Sequence, residues 1–358
     1  MPCRERIFFV ARGRPREGRL RMSAFLKAVE FIAQSQVERF FSSTVEVLSL
    51  KPGWTADVYR PRGKSLGAVL VVHGMTMRGH RDPRMINVCR AFAGSGYTAI
   101  APLYHDIATL RITVESIYSI AESIQILTKM PDICPAGKIG LFSASFSAGM
   151  SLIAASLPET ANLVSSVCTV GTLGAIDSTV KFLLAHNNDI DDYGTMIVLG
   201  NFIHLSIGRD EQLEKAFEVA AYDNGLRREK PLLGEFLDSI GEKSRNLFLL
   251  LQKNSAERMK HWEVVRVAPG FAKFLTELAV DRRISGMKAA VSLIHGIGDD
   301  VIPPSESELV FAKLKEAGVP VKLTLTPLIS HGDASIGISM VGDIVRLARS
   351  FAFFFNHL

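Results

Sequence analysis

The chain has 358 residues, of which 47% are hydrophobic and 22% charged, an ordinary composition for a globular protein with a large buried core. Its net charge of +5 has a local origin, because residues 1–21 hold seven arginines and two glutamates, which leaves 34 basic and 34 acidic residues in the remainder. A neutral body argues against a nucleic-acid-binding surface, and the lack of an apolar run of 18 residues argues against a membrane span.

The N-terminal segment, residues 1–21, is expected to be a basic, disordered tail. Its apolar run, Ile7–Ala11, is too short for the core of a signal peptide, and its glutamates and scarce serines are not typical of a transit segment. We interpret it as an extension that precedes a natural start at Met22.

The cysteines are scattered along the chain and show no Cys-x-x-Cys spacing; they are Cys3, Cys89, Cys134 and Cys168. This pattern predicts reduced, mostly buried thiols in a cytoplasmic protein, with neither a disulfide framework nor a metal site.

The first predicted elements are a helix and a hairpin. Apolar residues at helical spacing predict a helix over Ser23–Phe41, and the runs Val45–Leu50 and Trp54–Tyr59 around Pro52-Gly53 predict two paired strands.

Short apolar runs then alternate with helical patterns. The predicted strands are Ala68–Val72, Thr98–Ala101, Lys138–Phe142 and Leu163–Val170, and the helices between and after them are Met85–Ala93, Val114–Lys129 and Ser147–Ser156. This alternation indicates an α/β fold with a mostly parallel, twisted sheet and helices on both faces.

The alternation stops over residues 171–284, where only helical patterns follow one another. Strands and helices return as Ala289–His295, Ser305–Ala317, Val321–Leu325 and Met340–Phe355. We therefore predict a core made of residues 22–170 and 285–358, interrupted by a helical insertion of residues 171–284 that is far longer than an ordinary connection.

The stretch Lys138–Gly149, KIGLFSASFSAG, places a strand directly before a cluster of small residues. A strand that enters a helix through a very tight turn exposes the residue at its apex, here Ser145, and requires small neighbours two positions away, here Ser143 and Ser147. The backbone N–H of Phe146 then begins the helix and points to where an oxyanion would form.

This segment resembles the Gly-x-Ser-x-Gly nucleophile elbow of the α/β-hydrolase fold family, with serine in place of both glycines. The resemblance covers about Val45–Leu358 apart from the insertion. It implies that Ser145 is the nucleophile, while Ser143 and Ser147 remain alternatives if the register differs.

The resemblance also implies an acid and a histidine, in that order after the serine. Three histidines follow the insertion: His357 is close to the C-terminus, His295 ends a strand and is expected to pack beneath a turn, and His331 lies in a loop after the last strand, where the family places its base. Asp299 matches the family's orienting acid, and the adjacent Asp300 is expected to be a solvated turn residue.

The family's second oxyanion donor is matched by Val71–Thr76, VVHGMT, which nominates the backbone N–H of Met75. His73 and Gly74 would shape this loop.

The function implied is a serine hydrolase that cleaves carboxylic esters through an acyl-enzyme, with no cofactor and no metal. Thioesterase, amidase and acyltransferase activities use the same residues, and a catalytically silent scaffold that acts as a binding protein is the alternative of a different class. Chemistry that needs a carboxylate at the elbow is disfavoured, because position 145 is serine.

The insertion is expected to form a cap over the catalytic edge. Its apolar segment, Met196–Ile207, would either favour a small ester or thioester with an apolar portion or fill the cap's own core. Apolar cap helices could also rest on a membrane surface or form a homodimer, and the sequence does not distinguish these alternatives.

Overall fold

The computed structural model describes residues 15–35, 44–186, 192–330, 333–334 and 341–358. The strands of its main sheet are β1 (Thr44–Lys51), β2 (Trp54–Arg60), β3 (Ala68–Val72), β4 (Thr98–Pro102), β5 (Ile139–Ala144), β6 (Val164–Val170), β7 (Ala290–Gly296) and β8 (Val321–Thr326). They lie in the order β1-β2-β4-β3-β5-β6-β7-β8. The pairs β1–β2 and β2–β4 are antiparallel, and every pair from β4 to β8 is parallel. The predicted fold class is confirmed.

The helices are α1 (Pro15–Ser35), α2 (Pro83–Gly94), α3 (His105–Ala108), α4 (Glu115–Thr128), α5 (Phe146–Ser156), α6 (Ile176–Ala185), α7 (Asp192–Phe202), α8 (His204–Ile207), α9 (Glu211–Leu226), α10 (Leu233–Ser239), α11 (Glu242–Lys253), α12 (Ser255–Val265), α13 (Phe271–Glu277), α14 (Val280–Arg283), α15 (Pro304–Glu316) and α16 (Val341–Asn356). A two-stranded ribbon, β9 (Ile329–Ser330) with β10 (Asp333–Ala334), follows β8. Helix α1 begins N-terminal to the predicted Ser23, so residues 15–21 of the predicted tail are helical.

Both faces of the sheet are covered, which is why its central strands read as unbroken apolar runs. Alternate residues of β3 point to opposite sides, with Leu70 in the core formed by α4, α5 and α15 and Val71 in the core formed by α1, α2 and α16. The second core is rich in aromatic contacts, and Phe31 of α1 lies 4.6 Å from Phe92 and 4.7 Å from Phe351, measured between ring centroids.

Helices α6 to α14 lie between β6 and β7, where the described residues contain no strand. Their apolar side chains pack on one another: the Phe202 ring lies 5.1 Å from Phe271 and 6.1 Å from Trp262, and Phe217 lies 5.1 Å from Phe248. Met196–Leu199 are likewise buried. Of the two interpretations of the apolar segment, the structure favours a core within the inserted helices.

The described thiols, Cys89, Cys134 and Cys168, are free and buried. No helix in the described part of the chain combines the length and hydropathy needed to cross a bilayer.

Candidate active site

Ser145 is the single residue between strand β5 and helix α5, and its backbone is strained. Its φ is 60° and its ψ is −138°, a region that L-residues other than glycine rarely occupy. A turn this tight lifts the Ser145 side chain out of the pleat at the carboxyl edge of the sheet, where ligands of α/β folds bind.

The three serines of this segment differ in accessibility. Ser145 is partly exposed, whereas Ser143 and Ser147 have no exposed surface. The Ser147 hydroxyl donates to the carbonyl of His73 at 2.7 Å, and the Ser143 hydroxyl makes no hydrogen bond with any described residue. Of the three hydroxyls, that of Ser145 is the one a substrate can reach.

The loop after β3 lies directly against Ser145, because β3 and β5 are adjacent strands. A Cβ on Gly74 would lie 3.6 Å from the Cβ of Ser145. Glycine here leaves space beside the serine hydroxyl, and the next residue, Met75, is the predicted oxyanion donor.

His73 orients that donor. Its Nδ1–H donates to the Gly74 carbonyl at 2.9 Å, and its Nε2 accepts from the Tyr104 N–H at 3.2 Å, so both contacts require the neutral tautomer with the proton on Nδ1. Burial lowers the pKa of His73 to about 4, which keeps the ring neutral. Because the peptide unit is planar and trans, holding the Gly74 carbonyl also holds the Met75 N–H on the opposite side of the same plane.

Phe146 is the first residue of helix α5. The first N–H groups of a helix have no intrahelical acceptor, and the helix dipole adds partial positive charge there. The Phe146 N–H is therefore suited to stabilise negative charge on an atom bonded to Ser145.

Asp299 is buried in the turn after β7, and its Oδ1 accepts from the N–H groups of Val301 at 3.0 Å and Ile302 at 2.9 Å. Its Oδ2 would lie 3.4 Å from a Cβ on Gly171, at the end of β6. Asp300 is partly exposed. The two N–H donors of the turn fix the orientation of the Asp299 carboxylate.

His295 lies beneath this turn and is fully buried. Its Nδ1 is 2.6 Å from the Ser307 hydroxyl, and its Nε2 is 2.8 Å from the Ile302 carbonyl and 3.5 Å from Asp299 Oδ2. Both ring nitrogens have a partner in the turn or in α15, so His295 has a structural role.

The strand order brings the described site residues to one edge. Met75, Ser145 and Asp299 follow β3, β5 and β7, and the end of β6 connects the last two: the Ser145 N–H donates to the Val170 carbonyl at 2.8 Å, and Gly171 lies beside Asp299. The predicted base, His331, lies outside the described residues, so its position stays a prediction.

Two contacts at this edge are not signalled by the sequence motifs. Ser147, expected to be a small spacer, hydrogen-bonds to the His73 carbonyl, and Tyr193 of α7 donates to the Met75 carbonyl at 2.7 Å. Neither pairing has a sequence signal, because the partners are 74 and 118 residues apart. Within the described residues, no three side chains of His, Cys, Asp or Glu are grouped so that they could hold a metal ion.

Comparison with known proteins identifies the architecture. No protein-family model matches the sequence, and no curated protein matches it. Among solved structures, a thermophilic esterase from the Planctomycetes species Thermogutta terrifontis matches with a TM-score of 0.50 and 13% identity over 86% of this chain and 91% of the esterase. A puromycin-hydrolyzing peptidase from Mycobacterium tuberculosis matches with a TM-score of 0.50 and 15% identity over 87% of this chain and 38% of the peptidase. This chain has the α/β-hydrolase fold.

The chain spans 36–41% of the length of the peptidases that it matches. Identities of this size establish the α/β-hydrolase fold alone, so the chemistry has to be argued from the site. In the α/β-hydrolase fold of this chain, Met75, Ser145 and Asp299 lie at the carboxyl edge of the sheet, and the inserted helices leave the sheet at that edge, after β6.

Proposed function

We propose that this protein is a serine hydrolase that cleaves carboxylic esters through an acyl-enzyme on Ser145. The observation that carries the proposal is the strained, partly exposed Ser145 between β5 and α5, flanked by two fully buried serines. Strain of this kind costs roughly 1–3 kcal/mol and persists where the surrounding structure enforces it, which is typical of functional positions.

In the first step, the Ser145 hydroxyl attacks the ester carbonyl carbon while His331 accepts the hydroxyl proton. The carbonyl oxygen becomes an oxyanion, and the N–H groups of Met75 and Phe146 stabilise it. The carbon–oxygen bond to the alcohol then breaks, His331 returns its proton to the departing alkoxide, and the acyl group stays on Ser145.

In the second step, water attacks the acyl carbon as His331 removes one of its protons. The second tetrahedral intermediate uses the same two N–H donors, and its collapse releases the carboxylic acid and restores the Ser145 hydroxyl with the proton held by His331. Asp299 orients His331 and stabilises its cation, a role supported by the burial of Asp299 and by the two N–H groups that fix its carboxylate.

We further propose that helices α6 to α14 form a cap over this edge. Support comes from the point at which they leave the sheet, at the carboxyl end of β6, and from the hydrogen bond between Tyr193 and Met75, which joins α7 to the loop after β3. A cap there would exclude water from the acyl-enzyme except for the attacking molecule.

The test is labelling with a fluorophosphonate probe, on the wild type and on Ser145→Ala, Ser143→Ala and Ser147→Ala. We expect labelling to be lost only in Ser145→Ala, because the other two hydroxyls are inaccessible. Loss at position 143 or 147 instead would show a different nucleophile, and a folded wild type that never labels would favour the silent scaffold.

Substrate class is measured next, with p-nitrophenyl esters of graded acyl length beside the matching thioesters and anilides. We expect the esters to be turned over with the highest kcat/KM. A higher value for anilides or thioesters would replace the ester assignment while leaving the nucleophile in place.

A further inference from the structure

The loop after β3 is held by side chains at three consecutive carbonyl groups. The carbonyl of His73 accepts from the Ser147 hydroxyl at 2.7 Å, that of Gly74 accepts from His73 Nδ1–H at 2.9 Å, and that of Met75 accepts from the Tyr193 hydroxyl at 2.7 Å. Two of these donors belong to the core of the fold, and the third comes from the inserted helices.

We propose that Tyr193 is a positioning residue for the oxyanion hole, through which the inserted helices determine the direction of the Met75 N–H. This inference rests on the proposed function. The N–H of Met75 and its carbonyl belong to two successive rigid peptide planes. His73 holds the first plane and Tyr193 holds the second, so the two backbone torsions of Met75 between them cannot change without breaking a hydrogen bond.

Loss of the Tyr193 hydroxyl releases the second plane. The Met75–Thr76 peptide can then rotate, and the preceding plane can rotate in compensation, which turns the Met75 N–H away from the oxyanion. Hydrogen bonds to a developing oxyanion depend steeply on geometry, because donors are effective only near 2.7–3.1 Å and close to linear.

The Tyr193 side chain is itself held in place by its surroundings. A Cβ on Gly225 of α9 would lie 2.7 Å from Tyr193 Cε2 and 2.9 Å from Met77 Cε, so the glycine allows α9 to pack directly against the tyrosine ring. At the other end of α7, Asn201 accepts from the Ile112 N–H and donates to the Leu110 carbonyl, both at 2.9 Å.

Helix α7 is therefore attached to the core at both ends, and movement of α7 away from the core would break the Tyr193–Met75 bond. This makes the competence of the oxyanion hole depend on where the inserted helices sit.

The experiment compares Tyr193→Phe with the wild type, using Tyr222→Phe as the matched control. Tyr222 lies on α9 among the inserted helices and is partly buried against their core. For a p-nitrophenyl ester we expect Tyr193→Phe to lower kcat about tenfold with KM changed less than twofold, since removal of an oxyanion donor itself costs about 10²–10³. A trifluoromethyl ketone, which forms a tetrahedral adduct with the serine, should bind about tenfold more weakly to Tyr193→Phe.

A second variant, Gly225→Ala, keeps the hydroxyl but displaces the ring, and we expect a smaller fall in kcat with the same unchanged KM. If Tyr193 only stabilised the fold, Tyr193→Phe would lower the melting temperature and leave kcat and ketone affinity as they are. That result would overturn the proposal.

Hydrogen exchange of the peptide that spans residues 73–78 gives a measurement that does not depend on turnover. We expect faster exchange in Tyr193→Phe than in the wild type or Tyr222→Phe, and identical exchange in all three would refute the positioning role. Ser145→Ala separates the two proposals. If it retains full esterase activity, the proposed function fails; if it is inactive while Tyr193→Phe matches the wild type, only the role of Tyr193 fails.

Discussion

Replacing Ser145 with glycine should stabilise the protein relative to replacing it with alanine. Both variants remove the hydroxyl, so they differ only in the Cβ. At φ 60° and ψ −138° a Cβ is strained by roughly 1–3 kcal/mol, and glycine is not. Glycine loses about 0.5–1 kcal/mol more backbone entropy on folding. The difference leaves Ser145→Gly more stable than Ser145→Ala by about 1 kcal/mol.

Ser151 provides a control in the same helix, because it lies within α5 (Phe146–Ser156) with helical backbone and is fully buried. There the usual order holds, and Ser151→Ala should be more stable than Ser151→Gly by about 1 kcal/mol or more, since glycine lowers helix stability and leaves a small void. The sign of the Ala–Gly difference should thus reverse between positions 145 and 151.

Urea unfolding followed by far-ultraviolet circular dichroism measures both pairs, with the fluorophosphonate probe confirming that neither variant at position 145 is labelled. If the free energy of unfolding falls with urea concentration at the same slope in all variants, the values extrapolated to water can be compared directly. If alanine is the more stable residue at position 145 as well, the strain argument is wrong, and with it the main support for assigning the nucleophile to Ser145.

Two further predictions concern stability. The folded protein keeps His73 neutral down to about pH 4, whereas the unfolded chain binds a proton there near pH 6.5, so the free energy of unfolding should fall by about 3 kcal/mol as pH drops from 6.5 to 4. In His73→Gln the fall in the free energy of unfolding should be smaller by about 3 kcal/mol. If the free energy of unfolding depends on pH in the same way in the two proteins, His73 is not held neutral in the folded state. A Cβ on Gly149 would lie 2.8 Å from both the Leu173 carbonyl oxygen and Val280 Cγ2. Gly149→Ala should therefore destabilise the protein by about 1–3 kcal/mol. The control is Gly234→Ala in α10, where an added Cβ meets nothing within 4 Å and should be neutral or stabilising. A thermal-shift assay on the two variants tests this difference.

The sequence carried a strong local signal for the core of the fold. Buried parallel strands must be apolar on both sides, so β3 to β7 are visible as short apolar runs, and the bounds of Ala68–Val72 and Val164–Val170 agree with the prediction within a residue. The inserted helices were harder to locate. The buried residues of α12 (Ser255–Val265) are Arg258, Trp262 and Val265, and a charged residue on the buried face weakens the apolar period.

At the candidate site the same contrast holds. The turn at Ser145 can be read from the chain, because a one-residue connection between a strand and a helix needs small neighbours at Ser143 and Ser147, and this requirement is local. Other features of the site depend on contacts between distant parts of the chain. These are the hydrogen-bond partner of Ser147, the tautomer of His73 and the helix that supplies a donor to the Met75 carbonyl.

The sequence by itself therefore determined which strands and helices follow one another along the chain and which residue is at the apex of the tight turn. Periodicity and side-chain size act over a few neighbouring residues, so both can be read from local sequence. Only the tertiary structure decided that Met196–Leu199, Phe202 and Ile203 of the apolar segment are buried in the core of the insertion and that Tyr193 reaches the loop after β3. Such contacts form wherever packing brings polar groups within about 3 Å of each other, and the spacing of residues along the chain does not predict that distance.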